Sequence, residues 1–367
     1  MHWRSRALVI TTLAAVVAAC TSAATPAPTK APTAAPTAAA SAAASAAGTA
    51  APATLAPTGD KVTIKLLNAW APTSVFAGPV RILLEAVQAR SNGRVTITQA
   101  GPDVVPPTEQ IKAVGNKVYD LLYTVPLYHT GVNPEGEAIY FISGKSSCAA
   151  YRAAGALDAY DKAHRARAGV MFLGCGGGGA HGATFLVKKE IKSVDEFKGM
   201  KFRGFGLYTR VLDALGASSV TLAAGDVYSA LERGVVDGAA FPNLGVLEFG
   251  LSKVTPYIVM PPYLPFRYGF YMNPAAFDGL PADIKTWLQA TIYDLEDDFD
   301  RYWIEARDKE AVQLKASGMK EITLPAAESA RLNTIINTEL WKYIAEKSPT
   351  YGPQIEAAFK KVEPPVK

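Results

Sequence analysis

The feature that most restricts the fold is a regular alternation of strand-like and helix-like segments after residue 60. Residues 62–67, 95–98 and 119–125 are rich in β-branched and other apolar side chains, as strands are. Residues 74–90 have the apolar spacing of a helix, and residues 109–117 also suit a helix. This βαβαβ order predicts a parallel, doubly wound sheet, so the fold class is α/β.

A second run of the same kind follows, and then a mostly helical section. We predict strands at 170–173, 183–187, 200–205, 220–222 and 235–241, and helices at 149–167, 194–199, 208–215 and 225–233. Residues 281–317 favour one long helix and residues 326–346 another. Two α/β units in one exported chain are typical of a binding protein whose ligand sits between two lobes.

The first 20 residues have the features of an export signal. Arg4 and Arg6 precede a short apolar stretch, and Val17-Ala18-Ala19-Cys20 follows. This ending resembles a bacterial lipobox, which implies that Cys20 receives a diacylglycerol and becomes the mature N-terminus. An ordinary signal peptide with a chance cysteine is the alternative.

Residues 21–60 consist almost entirely of Ala, Thr, Pro and Ser, with Lys30 and Asp60 as the only charges. Such a segment cannot bury enough apolar surface to offset its ordering entropy, and we expect a disordered linker. The globular part is then expected to start near Lys61, tethered to a membrane by the lipid.

Composition excludes several classes of protein. A formal net charge of +4 is too mild for a dedicated nucleic-acid binder. The chain has three cysteines and no Cys/His spacing typical of zinc sites. Cys148 and Cys175 are compatible with a disulfide or with two buried thiols, and the sequence leaves this open. His181 lies near Cys175, but no third orienting residue indicates nucleophilic catalysis.

Residues 174–179 read Gly-Cys-Gly-Gly-Gly-Gly and formally contain the G-x-G-x-x-G pattern. No helix is predicted directly after them, and an exported protein meets little dinucleotide, so nucleotide binding is not favoured. We expect a flexible loop near a crossing between two lobes instead.

Arg203 lies near the end of the predicted strand at 200–205. Ligands of open α/β sheets bind outside the carboxyl ends of the strands. A guanidinium at this position has the planar pair of donors that matches the two oxygens of a ligand carboxylate. The alternative is that Arg203 forms an ion pair within the protein and has only a structural role.

Two segments, residues 191–203 and 225–238, resemble the central motifs of TRAP transporter solute-binding proteins of the DctP family. The first contains Ser193-Val194-Asp195-Glu196-Phe197-Lys198-Gly199 and ends at Arg203. The second ends in Val235-Val236-Asp237-Gly238. The resemblance covers roughly residues 61–365 and is nearest to the 2-oxo-acid-binding subgroup. It implies a two-lobed periplasmic-binding-protein-like fold of type II, with a long helix spanning both lobes. Lobe I is expected at 61–182 plus 267–310, and lobe II at 183–266 plus 311–367.

The same resemblance implies a binding protein rather than an enzyme. It implies a periplasmic or outer-face location, capture of a small organic acid, and delivery to a sodium-driven membrane permease. The matching arginine, Arg203, would hold the ligand carboxylate. A protein that presents its ligand to a membrane receptor is the alternative function, and an exported enzyme using the same cleft is a weaker one. The resemblance leaves monomer or homodimer open.

The departures from the family pattern narrow the range of ligands that we expect. No second arginine stands at residues 182–185, and Ala240 replaces the glutamate that helps bind a metal in the 2-oxo-acid subgroup. An alanine side chain cannot ligate a hard cation, so we expect no metal and no cofactor. The other expected ligand-binding residues are Phe241, Asn243, Trp70, Tyr128 and Phe205. We expect a monocarboxylate with an apolar or aromatic body.

Overall fold

The computed structural model describes residues 54–142 and 147–362. The export signal, Cys20 and most of the expected linker lie outside the described residues. Leu55, which the sequence places at the end of the linker, is buried, and its amide donates to the Arg90 carbonyl at 2.9 Å. The packed part of the chain therefore includes residues N-terminal to Lys61. None of the described helices is long and apolar enough to cross a membrane.

The described residues form ten strands, which join in one mixed sheet. The strands are β1 (Val62–Asn68), β2 (Val95–Ala100), β3 (Leu121–Thr124), β4 (Met171–Val187), β5 (Lys201–Gly204), β6 (Ser218–Thr221), β7 (Gly238–Pro242), β8 (Tyr257–Met260), β9 (Leu264–Met272) and β10 (Lys320–Thr323). Their order is β2-β1-β3-β9-β4-β7-β5-β6, with β8 paired to β4 and β10. The α/β class is confirmed, and both predicted parallel units are present.

Eleven α-helices cover the described sheet. They are α1 (Gly78–Arg90), α2 (Pro107–Gly115), α3 (Cys148–Ala153), α4 (Ala156–Ala168), α5 (Leu207–Ala214), α6 (Val227–Glu232), α7 (Pro274–Asp278), α8 (Ala282–Asp294), α9 (Glu296–Ala316), α10 (Ala326–Lys347) and α11 (Gly352–Val362). Short 3₁₀ helices occupy Val75–Ala77, Pro126–His129, Pro134–Phe141, Val194–Phe197, Ala224–Asp226 and Leu251–Lys253.

The expectation of a flexible loop at the glycine run was wrong. The glycines lie inside β4, a single 17-residue strand, where two strands were predicted. Glycines are needed at these positions because α9 and β9 both approach the β4 backbone closely. A Cβ on Gly177 (φ +74°) would lie 2.7 Å from Cβ of Phe299 on α9, and one on Gly178 (φ +137°) would overlap the Phe266 carbonyl on β9.

Strands β4 and β9 connect the two halves of the sheet. Strand β4 pairs with β9 from Met171 to Ala183, and its residues 183–187 pair with β7. The pairing shifts register between Gly178 and Gly182. This change of partners falls beside the 182/183 boundary expected between the lobes, and the division into lobes stays a prediction.

Helix α9 contacts both β4 and the segment that follows β7. Near its start, Glu296 accepts a hydrogen bond from the Cys175 amide at 3.1 Å. Near its end, buried Glu310 accepts from the Gly245 and Leu247 amides at 2.7 and 2.9 Å. The helix predicted at 281–317 is interrupted at Leu295, and acidic residues follow in the first turn of α9, where negative charge is favourable.

The C-terminal helices also join segments that the sequence assigned to different lobes. Trp341 of α10 stacks on Phe141 with ring centres 4.1 Å apart, and Phe359 of α11 packs on Tyr151. Arg331 of α10 pairs instead with Asp195 at 2.7 Å. Residues 326–362 therefore touch segments from both expected lobes.

Cys148 and Cys175 form a disulfide that links the first residue of α3 to β4. Of the two alternatives left open by the sequence, the structure contains the disulfide. Both residues are buried.

Candidate functional site

Four of the residues expected to bind ligand come together at the carboxyl ends of parallel strands. Trp70 follows β1, Tyr128 lies in the 3₁₀ helix after β3, Arg203 is the third residue of β5, and Phe241 lies near the end of β7. β1 pairs with β3 and β5 with β7, both in parallel. Because parallel strands end at one edge, these side chains converge on one cleft.

The cleft holds about 440 Å³ of empty space, its solvent-filled mouth included. The lining residues are mainly aromatic and aliphatic, and they are Trp70, Phe76, Val125, Leu127, Tyr128, Arg203, Tyr208, Ala224, Phe241, Pro242, Phe266 and Tyr268.

Arg203 is the cationic residue in this lining, and it is 3% exposed. Its Nε donates to the Leu222 carbonyl at 3.0 Å and its Nη1 to the Ala240 carbonyl at 2.8 Å. Within the described ranges, no carboxylate forms an ion pair with Arg203. Burial lowers the pKa of its guanidinium below the usual value, and the side chain stays protonated at neutral pH. The cleft therefore contains a held, buried positive charge that no acid of the described residues neutralises.

Phe241 and Tyr128 lie beside this charge. The Arg203 guanidinium carbon is 5.6 Å from the centre of the Phe241 ring, a cation–π distance. Burial raises the pKa of the Tyr128 hydroxyl, and the positive charge of Arg203 offsets part of that increase. The charged end of the cleft is therefore bounded by aromatic side chains.

Trp70 forms an apolar part of the wall. Its amide donates to Oδ1 of Asn68 at 3.1 Å, which fixes the turn after β1. Its ring lies 5.4 Å from Tyr268 and 5.8 Å from Tyr128, centre to centre. Such packing holds a large ring surface in one orientation, against which an apolar ligand body would be shielded from water.

Two of the expected residues are placed differently. Phe205 packs edge-on against Tyr128 at 5.7 Å and is not among the residues that line the cleft. Asn243 is buried, and its Oδ1 accepts from the Gly182 amide at 2.9 Å. Asn243 faces a separate small cavity with Met260 and Glu321. Neither side chain meets Arg203 in this conformation.

Sequence reasoning missed Tyr208, Phe266 and Tyr268. Tyr208 is the second residue of α5, five positions after Arg203, where its aromatic ring was counted only as part of a helix. Phe266 and Tyr268 come from β9, which was not predicted. The alternating aromatic residues of Leu264–Met272 are the signal that could have identified that strand.

The cleft does not have the ligand set of a divalent cation. None of the described residues that line it is an aspartate or glutamate, and the Ala240 carbonyl already accepts from Arg203. The one three-residue group of the described chain with metal-like spacing is Cys148, Cys175 and Glu296. Its two cysteines are joined as a disulfide, so they offer no thiolates.

Residues 68–348 match the family described as bacterial extracellular solute-binding protein, family 7, DctP. A monocarboxylate 2-oxoacid-binding periplasmic protein of Nostoc sp. is 30% identical over 181 residues, which is 48% of this chain and 49% of the relative. The chain thus spans about half the length of the curated relatives it matches.

Solved structures share the fold at low sequence identity. A TRAP periplasmic solute-binding protein from Desulfovibrio salexigens with bound orotic acid aligns with a TM-score of 0.70 and 19% identity, over 82% of this chain and 100% of the other. One from Colwellia psychrerythraea with bound calcium and pyruvate aligns with a TM-score of 0.70 and 22% identity, over 83% and 94%.

Proposed function

Because the chain belongs to the DctP family of bacterial extracellular solute-binding proteins, we propose that it captures a small organic acid for a TRAP transporter. The fold and the family are those of transport binding proteins and not of enzymes. The acid would sit in the cleft of Arg203 and be passed to a sodium-driven membrane permease. Cys20 would anchor the protein by a lipid at the outer face of the cytoplasmic membrane.

The observation that supports this proposal is the unneutralised guanidinium of Arg203. A buried charge is costly unless it is paired, and a ligand carboxylate would supply the missing partner. The solved relatives carry bound molecules of this kind, since orotic acid and pyruvate both have one carboxylic acid.

The ligand we propose is a monocarboxylate with an apolar or aromatic body. One cation lines the cleft, so one carboxylate can be matched, and the remaining wall is largely aromatic. Calcium-assisted binding is not proposed here, because the lining offers no carboxylate to hold the ion. Binding would shift the population from an open to a closed form of the two proposed lobes.

Two measurements test this function with the full chain. Mass spectrometry of protein purified without refolding should identify a co-purified carboxylic acid. Thermal unfolding with a set of acids should show stabilisation by aromatic or branched monocarboxylates such as benzoate or isovalerate. Their carboxamides should have no effect, because an amide lacks the charge that Arg203 requires. Stabilisation by pyruvate with calcium, but not by the larger acids, would contradict the proposed ligand class.

A further inference from the structure

The hydroxyl of Tyr208 is buried in the cleft, and no described residue forms a hydrogen bond with it. The residue is 1% exposed and lines the cleft with Arg203. Buried polar groups are normally hydrogen-bonded, because an unmet donor loses its interaction with water and gains nothing in return.

The local sequence holds Tyr208 in this position. Gly206 has φ +53°, and a Cβ there would lie 2.7 Å from Cδ1 of Leu127. Only glycine allows the turn between β5 and α5 to come this close to its neighbour. The Leu207 amide then donates to Oε1 of Glu137 at 3.2 Å, which fixes the first turn of α5. The hydroxyl is therefore held in one place before any ligand enters.

The surroundings also keep the hydroxyl protonated. Burial raises the pKa of Tyr208 well above its usual value, even though the positive charge of Arg203 acts in the opposite direction. A protonated phenol donates a hydrogen bond to an anion. Arg203 has given its Nε to Leu222 and one Nη1 proton to Ala240, so part of its fork is occupied. A carboxylate held by the remaining donors gains from a second donor nearby.

We propose that the Tyr208 hydroxyl donates a hydrogen bond to the ligand carboxylate beside Arg203. This inference rests on the proposed function, since it requires that a carboxylate occupies the cleft. It assigns a ligand contact that was not among the residues expected from the sequence.

Tyr263 provides a matched control. Its hydroxyl is also buried and without a partner in the described ranges, and the charge of Arg203 also acts on it. Its ring stacks on Phe185 at 4.5 Å, and it is not among the residues that line the cleft. The two tyrosines therefore share burial and electrostatics and differ in access to the ligand.

The test compares Tyr208→Phe and Tyr263→Phe in the full chain by calorimetric titration with benzoate, phenylacetate and isovalerate. A hydrogen bond to a charged acceptor is worth roughly a 10- to 100-fold change in affinity, so Tyr208→Phe should weaken binding by that factor. Tyr263→Phe should bind within about twofold of the parent protein. Both unliganded variants should unfold at or slightly above the parent temperature, because neither loses a hydrogen bond.

The outcomes separate the two proposals. If the parent protein binds an acid and Tyr208→Phe binds it equally well, the role of Tyr208 is refuted and the proposed function stands. Equal weakening in both variants would also refute it, since a general effect of removing buried hydroxyls would explain the loss. If the parent protein binds none of the acids, both proposals fail.

Discussion

Replacing Arg203 by methionine tests the centre of the candidate site. Methionine keeps much of the side-chain length and removes the charge, so the cleft stays filled. In the structure the guanidinium donates to two backbone carbonyls, at 3.0 and 2.8 Å, and forms no ion pair within the described chain. A ligand carboxylate would thus be the partner that completes a buried charge pair.

The expected loss of affinity is large, and the change in unliganded stability is small. Breaking a buried ion pair by removing one partner costs roughly 3–5 kcal/mol. At about 1.4 kcal/mol per tenfold, affinity should fall by about a hundredfold to a few thousandfold. In the free protein, the substitution removes two hydrogen bonds worth roughly 1.5–3 kcal/mol each. It also removes the cost of burying a charge, which is several kcal/mol, and this gain offsets the loss. The unfolding temperature should therefore change by only a few degrees.

The assay is calorimetric titration with an acid found in the ligand screen, together with thermal unfolding of the unliganded proteins. Arg203→Lys keeps the charge without the planar fork and should bind more weakly than the parent protein but better than Arg203→Met. Arg331→Met removes a surface arginine that pairs with Asp195, and it should bind like the parent protein. The reasoning is refuted if Arg203→Met binds within fivefold of the parent protein.

Three further predictions concern other parts of the chain. Cys20→Ala should move the protein from the membrane to the soluble fraction of fractionated cells, because the proposed acyl anchor would be lost. Replacing Cys148 and Cys175 together by serine should lower the free energy of unfolding in urea by about 3.5 kcal/mol, since the disulfide closes a loop with a sequence separation of 27. Burial raises the pKa of Glu137 from about 4.5 to about 8, so the native state holds a proton that the unfolded state releases between these values. The stability that this group contributes is therefore greatest below pH 4.5 and is lost as the pH rises to 8. Glu137→Gln should make the unfolding temperature less dependent on pH between 4.5 and 8.

Each of these has an outcome that would contradict it. A Cys20→Ala protein that remains on membranes would show that the cysteine is not the anchor. If the serine variant has the same free energy of unfolding as the parent protein under non-reducing conditions, the disulfide contributes nothing to stability. Glu137→Gln preserves the oxygen that accepts from Leu207, so an unchanged pH dependence would place the titration on other groups.

Local patterns predicted the parts of the fold that depend on neighbouring residues. The strand and helix order around Arg203 followed from alternation and helical spacing, and the rule for strand ends then placed Arg203 at the cleft. The glycine run was misjudged because glycine normally weakens strands. Its conformation is set by Phe299 and the β9 backbone, which are far away in sequence. Only the assembled structure shows that contact.

The charged residue of the candidate site was predictable from the sequence, whereas several of the aromatic residues that line the cleft were not. Arg203, Phe241, Trp70 and Tyr128 line the cleft, and their role as ligand contacts is still a prediction. Phe266 and Tyr268 were missed because their strand was missed. Tyr208 was missed for a different reason, since no periodicity indicates that a helical tyrosine has an unpartnered hydroxyl.

The position of β9 determines when the protein can fold. β9 lies between β3 and β4, and Leu121 pairs with Met272. A growing chain that has not yet reached residue 264 therefore leaves β3 as an open sheet edge, because β9, the strand that covers it, has not yet been made. Strand pairing over such a sequence separation is slow, because the closing of a long loop precedes any stabilising contact. Strands β1, β2 and β3 should therefore not form a stable domain by themselves before β9 is available.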